Sequence, residues 1–414
     1  MIVTNKSDCT GCGTCYSICP MHCISMEQDS EGFLYPVIDG KNCTKCQKCE
    51  RSCPAIAQNA PRKPLNLYAV RNPNEEIRYQ SSSGGMFTLI AEHMIREEGV
   101  VFGARFNDRW EVVHDYTETV EGLVTFRGSK YVQSIIGDTY KQVRNFLENG
   151  RRVLYSGTPC QIAGLRNYLQ KKYNNLLTVD MVCHGVPSPL VWRKYLNERM
   201  GLLVSGGKKH SIQEINFRDK MNGWYNITLS ISCVMGNHSI NFMAKNDIKT
   251  LLVAETVTKN SYMKGFFRDL YLRPSCYQCP TRHLKSGSDI TIADYWGVRN
   301  VLPNFDDGKG ISLVMINTES GKQIYELLNK NEIETTYKDA VAGNSAIERS
   351  PYLHRMRKIF FRELHDKPII PLINRLATFP LRTFLVKVCY ALPRKLKILY
   401  KLGLLSFFRK EFRK

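Results

Sequence analysis

The sequence predicts a fold of the α+β or mixed-sheet α/β class, with more than one domain along the chain. The first reason is size, since 414 residues with 43% hydrophobic content can bury the cores of two or three domains. The second is that short apolar runs alternate with helical patterns between residues 65 and 330. The third is the strictly alternating run at 225–234, which indicates an antiparallel strand rather than a regular doubly wound array.

The fifteen cysteines indicate metal ligation in a reducing compartment. A secreted disulfide scaffold would be short and would begin with a signal peptide, whereas residues 1–20 are polar and already carry a cysteine motif. The sequence contains no run of about eighteen uncharged apolar residues, so no transmembrane helix is expected. We therefore expect a cytoplasmic protein.

One cysteine pattern occurs twice in the first fifty-four residues. The runs "CTGCGTCYSICP" and "CTKCQKCERSCP" both have the spacing C-x2-C-x2-C-x3-C-P, which is the signature of bacterial two-cluster ferredoxins. Three thiolates wrap one cube, and the turn before the proline carries the fourth cysteine to the other cube. The predicted ligands of the first [4Fe–4S] cluster are Cys9, Cys12, Cys15 and Cys53, and those of the second are Cys43, Cys46, Cys49 and Cys19.

A pair of zinc knuckles is the alternative for these runs, because C-x2-C pairs also suit tetrahedral zinc. Zinc sites seldom use three consecutive cysteine steps with a displaced fourth ligand. Cys23 lies outside the pattern and is expected to be a small buried apolar residue. The predicted role of this ferredoxin-like domain, residues 1–60, is the relay of single electrons.

A second domain is predicted at residues 61–345, after a proline-containing linker at 59–66. Its first strands are "LYAV" and "GVVFGARF", and the segment 81–99 between them has a helical pattern with Ser83 as a plausible N-cap. The apolar stripe of this helix consists of Phe87, Ile90, Ala91, Met94 and Ile95.

Further strands and helices follow in the same domain. Buried strands are predicted at "VLYS", "LLTVDMVC", "DITIAD" and "GISLVMINT", and helices at Ser188–Pro189 onward and at "SGKQIYELLNK". The alternating strand "YNITLSISCV" is expected to turn at Gly236 and Asn237, which makes Cys233 a core residue.

Four cysteines of the second domain form a third candidate set. Cys160 and Cys183 each come just after a buried strand, where α/β folds place ligands, and Cys276 and Cys279 form a C-x2-C pair in a polar loop. A third [4Fe–4S] cluster is the preferred interpretation. The alternatives are a structural zinc site or a Cys160 nucleophile with His184 as its base.

Several blocks of the second domain resemble, in order, the beta subunits of coenzyme F420 hydrogenases and dehydrogenases, and equally plant 7-hydroxymethyl chlorophyll a reductase. These blocks are "QSSSGG", "RGSKYVQS", "YSGTPCQIAGL", "VCHGVPSP", "INFRDK" with "GW", "LYLRPSCYQC" and "SDITIADYWG". The resemblance covers about residues 65–300 and implies a flavoprotein with FAD and a [4Fe–4S] cluster that exchanges a hydride with a deazaflavin or another two-electron partner. It supports the third cysteine set as cluster ligands.

The resemblance also suggests where FAD binds. A Ser/Gly turn that opens a helix offers free backbone amides to a pyrophosphate, so Ser82, Ser83, Gly84 and Gly85 are candidate FAD ligands. An ordinary helix cap is an equal alternative from the sequence alone. Lys130 could meet a phosphate, although a solvated lysine is nearly as good an interpretation.

His184 and Asp294 are the candidates for proton handling near the flavin, and each could equally be a structural residue. The function predicted is an iron–sulfur flavoprotein oxidoreductase that passes electrons between a two-electron partner, such as a reduced deazaflavin or nicotinamide, and one-electron carriers. The rival is a non-enzymatic electron-transfer adaptor, which could serve polysaccharide assembly because bacterial proteins of similar sequence occur beside such genes.

The C-terminal region, residues 346–414, is predicted to be a basic amphipathic helical tail. The last sixty residues hold sixteen Lys and Arg against three acidic residues, a net +13 out of +20 for the whole chain. This tail could contact an anionic membrane surface peripherally, at the inner face, or pack its apolar side on the protein. Nucleic-acid binding is not expected, because the charge accompanies no recognisable reading motif.

Overall fold

The computed structural model describes residues 5–201, 210–235 and 249–377, and within these ranges the strands form three sheets. A two-stranded sheet belongs to the N-terminal region, a three-stranded antiparallel sheet to the second half, and an eight-stranded sheet of mixed direction forms the centre. The central sheet confirms the predicted mixed α/β class. Residues 378–414, most of the predicted tail, lie outside the described residues.

The N-terminal region consists of two short helices that flank a β-hairpin: α1 Thr14–Ile18, β1 Ile24–Gln28, β2 Leu34–Ile38 and α2 Lys48–Arg51. The carboxylate of Asp29 closes the hairpin turn by accepting hydrogen bonds from the backbone amides of Glu31 and Phe33, both at 3.0 Å. Phe33 and Tyr35 then pack in the same hydrophobic cluster as Trp192 of the second domain. The N-terminal region is therefore held to the rest of the chain by a shared core.

The predicted linker at 59–66 is bonded along the second domain. The backbone amide of Arg62 donates to His283 O at 3.1 Å, and its Nε donates to Leu284 O at 2.8 Å. Asn59 Nδ2 donates to Lys285 O at 2.9 Å. This segment therefore fixes the N-terminal region against the second domain rather than acting as a free spacer.

The central sheet brings the ends of four parallel strands to one edge. Its strand order is β13-β3-β12-β11-β7-β6-β4-β5. The neighbours β11, β7, β6 and β4 pair in parallel, whereas the pairs β13–β3, β3–β12, β12–β11 and β4–β5 are antiparallel. The strands are β3 Asn66–Arg71, β4 Val100–Phe106, β5 Val112–Thr117, β6 Val153–Gly157, β7 Leu176–Met181, β11 Ile290–Asp294, β12 Ser312–Ile316 and β13 Asn331–Glu334.

Helices cover the central sheet, and single-turn 3-10 helices lie at Glu121–Thr125, Pro274–Gln278 and Ser345–Ile347. Ile90, Ala91 and Met94, on the helix that begins at Met86, are buried as the periodicity predicts. The remaining α-helices are α3 Glu75–Gln80, α4 Met86–Arg96, α5 Thr139–Glu148, α6 Pro159–Leu169, α7 Pro189–Gly201, α8 Ser261–Phe267, α9 Val298–Val301, α10 Glu319–Glu326, α11 Tyr337–Gly343, α12 Arg357–Glu363 and α13 Ile369–Leu376.

The antiparallel sheet consists of β8 His210–Asp219, β9 Thr228–Met235 and β10 Lys249–Thr256. Cys233 on β9 is 1% exposed, which confirms it as a core residue, and the turn predicted at Gly236 and Asn237 lies outside the described residues. Phe360 and Ile373, on α12 and α13, pack in the same hydrophobic cluster as Cys233. The described part of the C-terminal region therefore contributes to the core of the second domain. In residues 5–201, 210–235 and 249–377, no helix has the length and apolar character that crossing a bilayer requires.

Candidate metal centres and cofactor site

Cys160 and Cys183 lie at the edge where the parallel strands end. β6 and β7 are parallel neighbours, and each is followed within three residues by one of these cysteines. Cys160 is in the first turn of α6, whose start is fixed by Pro159 and by a hydrogen bond from the amide of Thr158 to Gln161 Oε1 at 2.9 Å. Adjacent strand ends therefore bring the two thiols to the same place.

Cys276 and Cys279, the two loop cysteines, lie at the same edge of the sheet. Cys276 lies in the 3-10 helix Pro274–Gln278, and its Sγ accepts a hydrogen bond from the amide of Val186 at 3.4 Å. The amide of Cys279 donates to Ser350 Oγ at 3.1 Å. One cavity is lined by all four cysteines of the third set, Cys160, Cys183, Cys276 and Cys279.

Electrostatics indicate that this thiol set suits a cationic centre. Burial, with the neighbouring thiolates adding to its effect, raises the pKa of Cys183 to about 12 and that of Cys276 to about 11. Burial also raises the pKa of Cys160 well above its usual value, with Cys279 and Cys183 adding to the effect. Four thiolates in one buried cavity repel each other, and a positively charged iron–sulfur core offsets that repulsion.

The N-terminal cysteines separate into two groups. Burial raises the pKa of Cys15 well above its usual value, and the nearby thiolates of Cys12, Cys9 and Cys53 raise it further. Cys53 therefore lies with the first run, although it ends the second run in sequence. A separate cavity is lined by the remaining four predicted ligands, Cys19, Cys43, Cys46 and Cys49.

Cys23 lies in this second cavity as well, although the spacing excludes it from the ligand pattern. Its Sγ is 3.4 Å from Cys19 Sγ, and burial raises its pKa to about 12, with Cys19 and Cys43 adding to the effect. The prediction that Cys23 is buried is correct, but its place beside the predicted ligands was not foreseen. Cys23 lies directly before β1 and outside the cysteine run, so the spacing of the run gave no indication that it belongs to this cavity. Among the described residues, no three His, Cys, Asp or Glu side chains are arranged to hold a single metal ion.

The first and third thiol sets are neighbours. α1 packs on α6, and a Cβ at Gly164 of α6 would lie 3.1 Å from Cys12 Cβ. The charge of Cys12 contributes to the raised pKa of Cys160, after burial and the closer thiolates. Thr10 lines the cavity of the third set. The two sets are therefore separated only by the contact between these helices.

The predicted FAD turn is clamped to the central sheet. Gly84 O accepts from the amide of Asn72 at 2.7 Å, and the amide of Gly84 donates to Ser312 Oγ at 3.1 Å. Ser83 was predicted as the N-cap of α4, and this is wrong: Gly85 caps the helix with φ +84°, and Ser83 Oγ donates to Ile311 O instead. Gly85 adopts this left-handed conformation without the strain that a side chain would cause.

Residues that the sequence did not single out hold the other side of this turn. Ser82 O accepts from Arg218 Nη2 at 3.3 Å and from Trp224 Nε1 at 3.2 Å. Lys220 Nζ donates to Ser83 O at 2.8 Å, and burial lowers the pKa of Lys220 to about 7. The blocks "INFRDK" and "GW" supply these contacts, and their place in the resemblance was the signal that could have found them.

Lys130 lies next to the same turn, because the amide and hydroxyl of its neighbour Ser129 both donate to Ser82 Oγ, at 2.7 and 2.9 Å. Lys130 Nζ donates to the carbonyls of Arg127 and Gly128, and burial lowers its pKa to about 7. A buried ammonium whose hydrogen bonds go to neutral carbonyls would be stabilised by an anionic group such as a phosphate.

His114 on β5 lies beside Lys130 and was not predicted. Its Nε2 is 3.1 Å from Ser156 O, and its Nδ1 has no hydrogen-bond partner among the described residues although the side chain is buried. Burial, with the charge of Lys130 adding to its effect, lowers the pKa of His114 to about 4. A buried hydrogen-bond acceptor without a partner, His114 Nδ1, beside the ammonium of Lys130 is consistent with a site that binds a polar cofactor.

His184 and Asp294 lie at adjacent strand ends, after β7 and at the end of β11. His184 Nε2 is 2.5 Å from Asp269 Oδ1, and the imidazole is 37% exposed. Asp294 is held by the buried guanidinium of Arg218, with Oδ1 3.3 Å from Nη2. His184 is therefore the more accessible of the two, whereas Asp294 is engaged in an ion pair.

Comparison with known proteins gives three family matches. Residues 150–340 match the family model for the C-terminal part of the coenzyme F420 hydrogenase/dehydrogenase beta subunit. Residues 67–138 match the model for the N-terminal part of the same beta subunit. Residues 8–57 match the 4Fe-4S dicluster domain.

Two proteins of Methanocaldococcus jannaschii are similar to parts of the chain. Uncharacterized protein MJ1349 is 25% identical over 207 residues, which are 42% of this chain and 56% of that protein, so the chain spans a little over half of its length. Uncharacterized ferredoxin MJ0722 is 34% identical over 56 residues, 14% of this chain and 71% of the ferredoxin. A chain of the F420-reducing [NiFe] hydrogenase complex from Methanosarcina barkeri aligns with a TM-score of 0.41 at 16% identity, covering 76% of this chain and 91% of that one.

Proposed function

Because this chain belongs to the coenzyme F420 hydrogenase/dehydrogenase beta-subunit family and carries a 4Fe-4S dicluster domain, we propose that it is an iron–sulfur flavoprotein oxidoreductase. It passes electrons between a two-electron partner, such as a reduced deazaflavin or a nicotinamide, and one-electron carriers. Three [4Fe–4S] clusters and one FAD are its proposed cofactors.

The observation that carries this proposal is the third thiol set and its neighbour. Cys160, Cys183, Cys276 and Cys279 line one cavity at the carboxyl-end edge of the sheet, and Cys12 of the first set lies across the contact between α6 and α1. An electron that reaches the third set can therefore pass to the first set without leaving the protein.

The candidate FAD residues surround the same edge of the sheet. A bound flavin would supply the exchange between a hydride partner and single-electron carriers. In the proposal, the turn Ser82–Gly85 and the ammonium of Lys130 bind the phosphates, and His114 Nδ1 accepts a hydrogen bond from the cofactor. Arg218, Lys220 and Trp224 hold the turn in place through its carbonyl groups.

His184 is the proposed group for proton transfer at this site. Its Nε2 is hydrogen-bonded to Asp269, and the exposed part of the ring lets a proton exchange with solvent. Asp294 is the second candidate, and its carboxylate is paired with the buried guanidinium of Arg218.

Anaerobic purification followed by iron, sulfide and flavin analysis tests the cofactor content. We expect about twelve irons, four for each cube, and one FAD per chain. Cys183→Ser should reduce the iron to about eight by removing the third cluster, while the control Cys233→Ser, at a buried cysteine outside all three sets, should leave it unchanged. Protein that cannot be loaded with FAD would contradict the flavoprotein assignment.

Reduction assays with F420H2, NADPH, NADH and reduced ferredoxin in parallel test the activity. A two-electron donor from this group should bleach the flavin and the clusters together, because all are proposed to lie on one path. A protein that contains its clusters and flavin but reacts with none of the two-electron donors would support the adaptor hypothesis instead.

A further inference from the structure

The second thiol set lies at the surface, in contrast to the first. Cys46 of the second set is exposed, Cys43 and Cys49 are partly exposed, and Cys19 is buried. In the first and third sets every cysteine is buried or only partly exposed. The first set in turn packs against the helix that carries Cys160. The second set is therefore the outermost of the three.

Exposed basic side chains surround this outermost set. The second cysteine run contributes two lysines and an arginine, a third lysine lies two residues before the run, and the loop after α6 contributes two more lysines close to it. That loop is adjacent because Gln170 Nε2 lies 3.5 Å from Ser52 Oγ, at the end of α2. We call these residues the basic rim: Lys41, Lys45, Lys48, Arg51, Lys171 and Lys172.

The basic rim carries a charge that is largely uncompensated. In the part of the chain that the structure describes, none of its six side chains forms an ion pair. Glu50 lies beside the second cavity, Asp39 accepts from the amide of Lys41, and Glu148 accepts from Tyr173 next to Lys172, so the six cations outnumber these three carboxylates. Exposed charge of one sign around a reactive centre attracts a partner of the opposite sign and accelerates its association.

We infer that the basic rim is the docking surface for an acidic one-electron carrier protein, which exchanges electrons with the second cluster. This inference rests on the proposed function, because it requires a [4Fe–4S] cluster held by Cys19, Cys43, Cys46 and Cys49. One electron moves between the carrier and the cluster in each encounter, so the carrier is oxidised by one electron as the cluster is reduced by one, or the reverse. The partner is a protein with a negative surface around its own redox centre.

Stopped-flow reduction under anaerobic conditions tests this inference with two electron donors of opposite charge. The acidic probe is reduced flavodoxin, and the cationic probe is reduced methyl viologen. The variant is Lys171→Glu with Lys172→Glu, which reverses charge outside the cysteine run and so spares the cluster loop. The matched control is Lys259→Glu with Lys338→Glu, which makes the same change in net charge at two exposed lysines, one between β10 and α8 and one on α11.

At low ionic strength the variant should react with flavodoxin at least about tenfold more slowly than wild type, as loss of electrostatic steering predicts. Its reaction with methyl viologen should be unchanged or faster, and the difference in the flavodoxin rate should vanish at high salt. The control pair should match wild type with both donors. A second variant, Lys45→Gln with Lys48→Gln, should show the same pattern if its iron content equals that of wild type.

Two results would overturn the inference while leaving the proposed function intact. One is an equal flavodoxin rate in wild type and variants while methyl viologen reduces the clusters. The other is a wild-type protein that methyl viologen reduces but flavodoxin does not. Purified protein without iron–sulfur clusters would overturn the proposed function itself, so the two failures are distinguishable.

Discussion

Cys53 ends the second cysteine run in sequence but lies with the thiols of the first run. Its pKa is raised to about 11 by burial, with the thiolates of Cys12 and Cys9 adding to the effect. The x3-C-P spacing predicts that the fourth cysteine of each run lies with the other run, because the turn before the proline carries it away from the three preceding cysteines. Cys23 shows the opposite case, in which a thiol joins a cavity without any spacing signal.

Cys53→Ser should remove the first cluster and leave the second in place. Iron should fall to about eight per chain, and Cys9, Cys12 and Cys15 should become open to alkylation while Cys43, Cys46 and Cys49 stay protected. Mass spectrometry of alkylated peptides provides the measurement. Cys23→Ala is the control and should retain full iron; protection of the first run in Cys53→Ser would mean that each run keeps its own fourth cysteine.

Arg273 is a buried cation directed at the first thiol set. It is fully buried, its Nε donates to Cys9 O at 2.7 Å, and its Nη2 lies 3.4 Å from Cys9 Sγ. Gln133 Oε1 accepts from Nη1 at 3.0 Å, and the guanidinium lies over the ring of Tyr35. Within the described residues its hydrogen-bond partners include no carboxylate, so its positive charge would act on a cluster held by the first thiol set.

Arg273→Gln should make the first cluster harder to reduce, because a nearby cation stabilises the extra electron. We expect the ratio of reduced to oxidised first cluster at a fixed potential to fall at least about tenfold, which is a shift of about 59 mV for a one-electron couple. Redox titration followed by electron paramagnetic resonance measures this shift. Arg273→Lys retains the charge and should shift less, and equal shifts in both variants would show that packing rather than charge is responsible.

Among the elements, the turn Ser82–Gly85 is fixed by its surroundings more than by its own sequence. A Cβ at Gly84 would lie 2.3 Å from Val70 O and 2.6 Å from the amide nitrogen of Ser312, both backbone atoms that cannot move aside easily. The turn is therefore pressed against β3 and β12, and its carbonyl groups are all engaged by neighbouring side chains or amides. The expectation of a serine cap failed because Ser83 bonds to the adjacent strand instead of to its own helix.

Gly84→Ala should displace this turn from the sheet. We expect a loss of about 1–3 kcal/mol in the free energy of unfolding from overpacking, together with weaker FAD binding in fluorescence titrations. Gly40→Ala is the control, because a Cβ there meets no atom within 4 Å. Unchanged FAD affinity in a folded Gly84→Ala protein would place the cofactor elsewhere.

At the scale of the whole molecule, the thiol sets are arranged in the order third, first, second. The third set lies at the strand ends, the first lies across the α1–α6 contact, and the second lies at the surface inside the basic rim. Phe33, Tyr35 and Arg62 fix this order by anchoring the N-terminal region to the second domain. The two regions therefore work as one unit in the proposed relay.

Gly164→Val should disturb the contact between the two regions. A Cβ at Gly164 would lie 2.5 Å from Thr14 Oγ1 and 3.1 Å from Cys12 Cβ, so α1 has to move away from α6. We expect a loss of about 1–3 kcal/mol in the free energy of unfolding. We also expect slower electron transfer between the third and first clusters, measured by rapid freeze-quench electron paramagnetic resonance. Gly40→Val is the control, and a normal transfer rate in Gly164→Val would contradict the proposed path.

The sequence by itself determined the dicluster character of the N-terminal region and which segments form helices or strands, because both depend on local spacing. Two repeated runs predicted eight thiols as cluster ligands, and apolar periodicity predicted α4, β7, β9 and the strands around them correctly. These signals lie within about a dozen residues of each other, which is the range over which backbone geometry is set by neighbours.

Only the tertiary structure decided which distant residues meet. Strand ends and the resemblance had already grouped Cys160, Cys183, Cys276 and Cys279, but the structure alone placed His114 beside Lys130 and set Arg273 against Cys9. No local pattern encodes such pairs, since their positions depend on the order of strands in the sheet and on how the N-terminal region docks. The physical reason is that burial and charge act through space, so a residue such as Arg273 acquires its role from partners more than a hundred residues away.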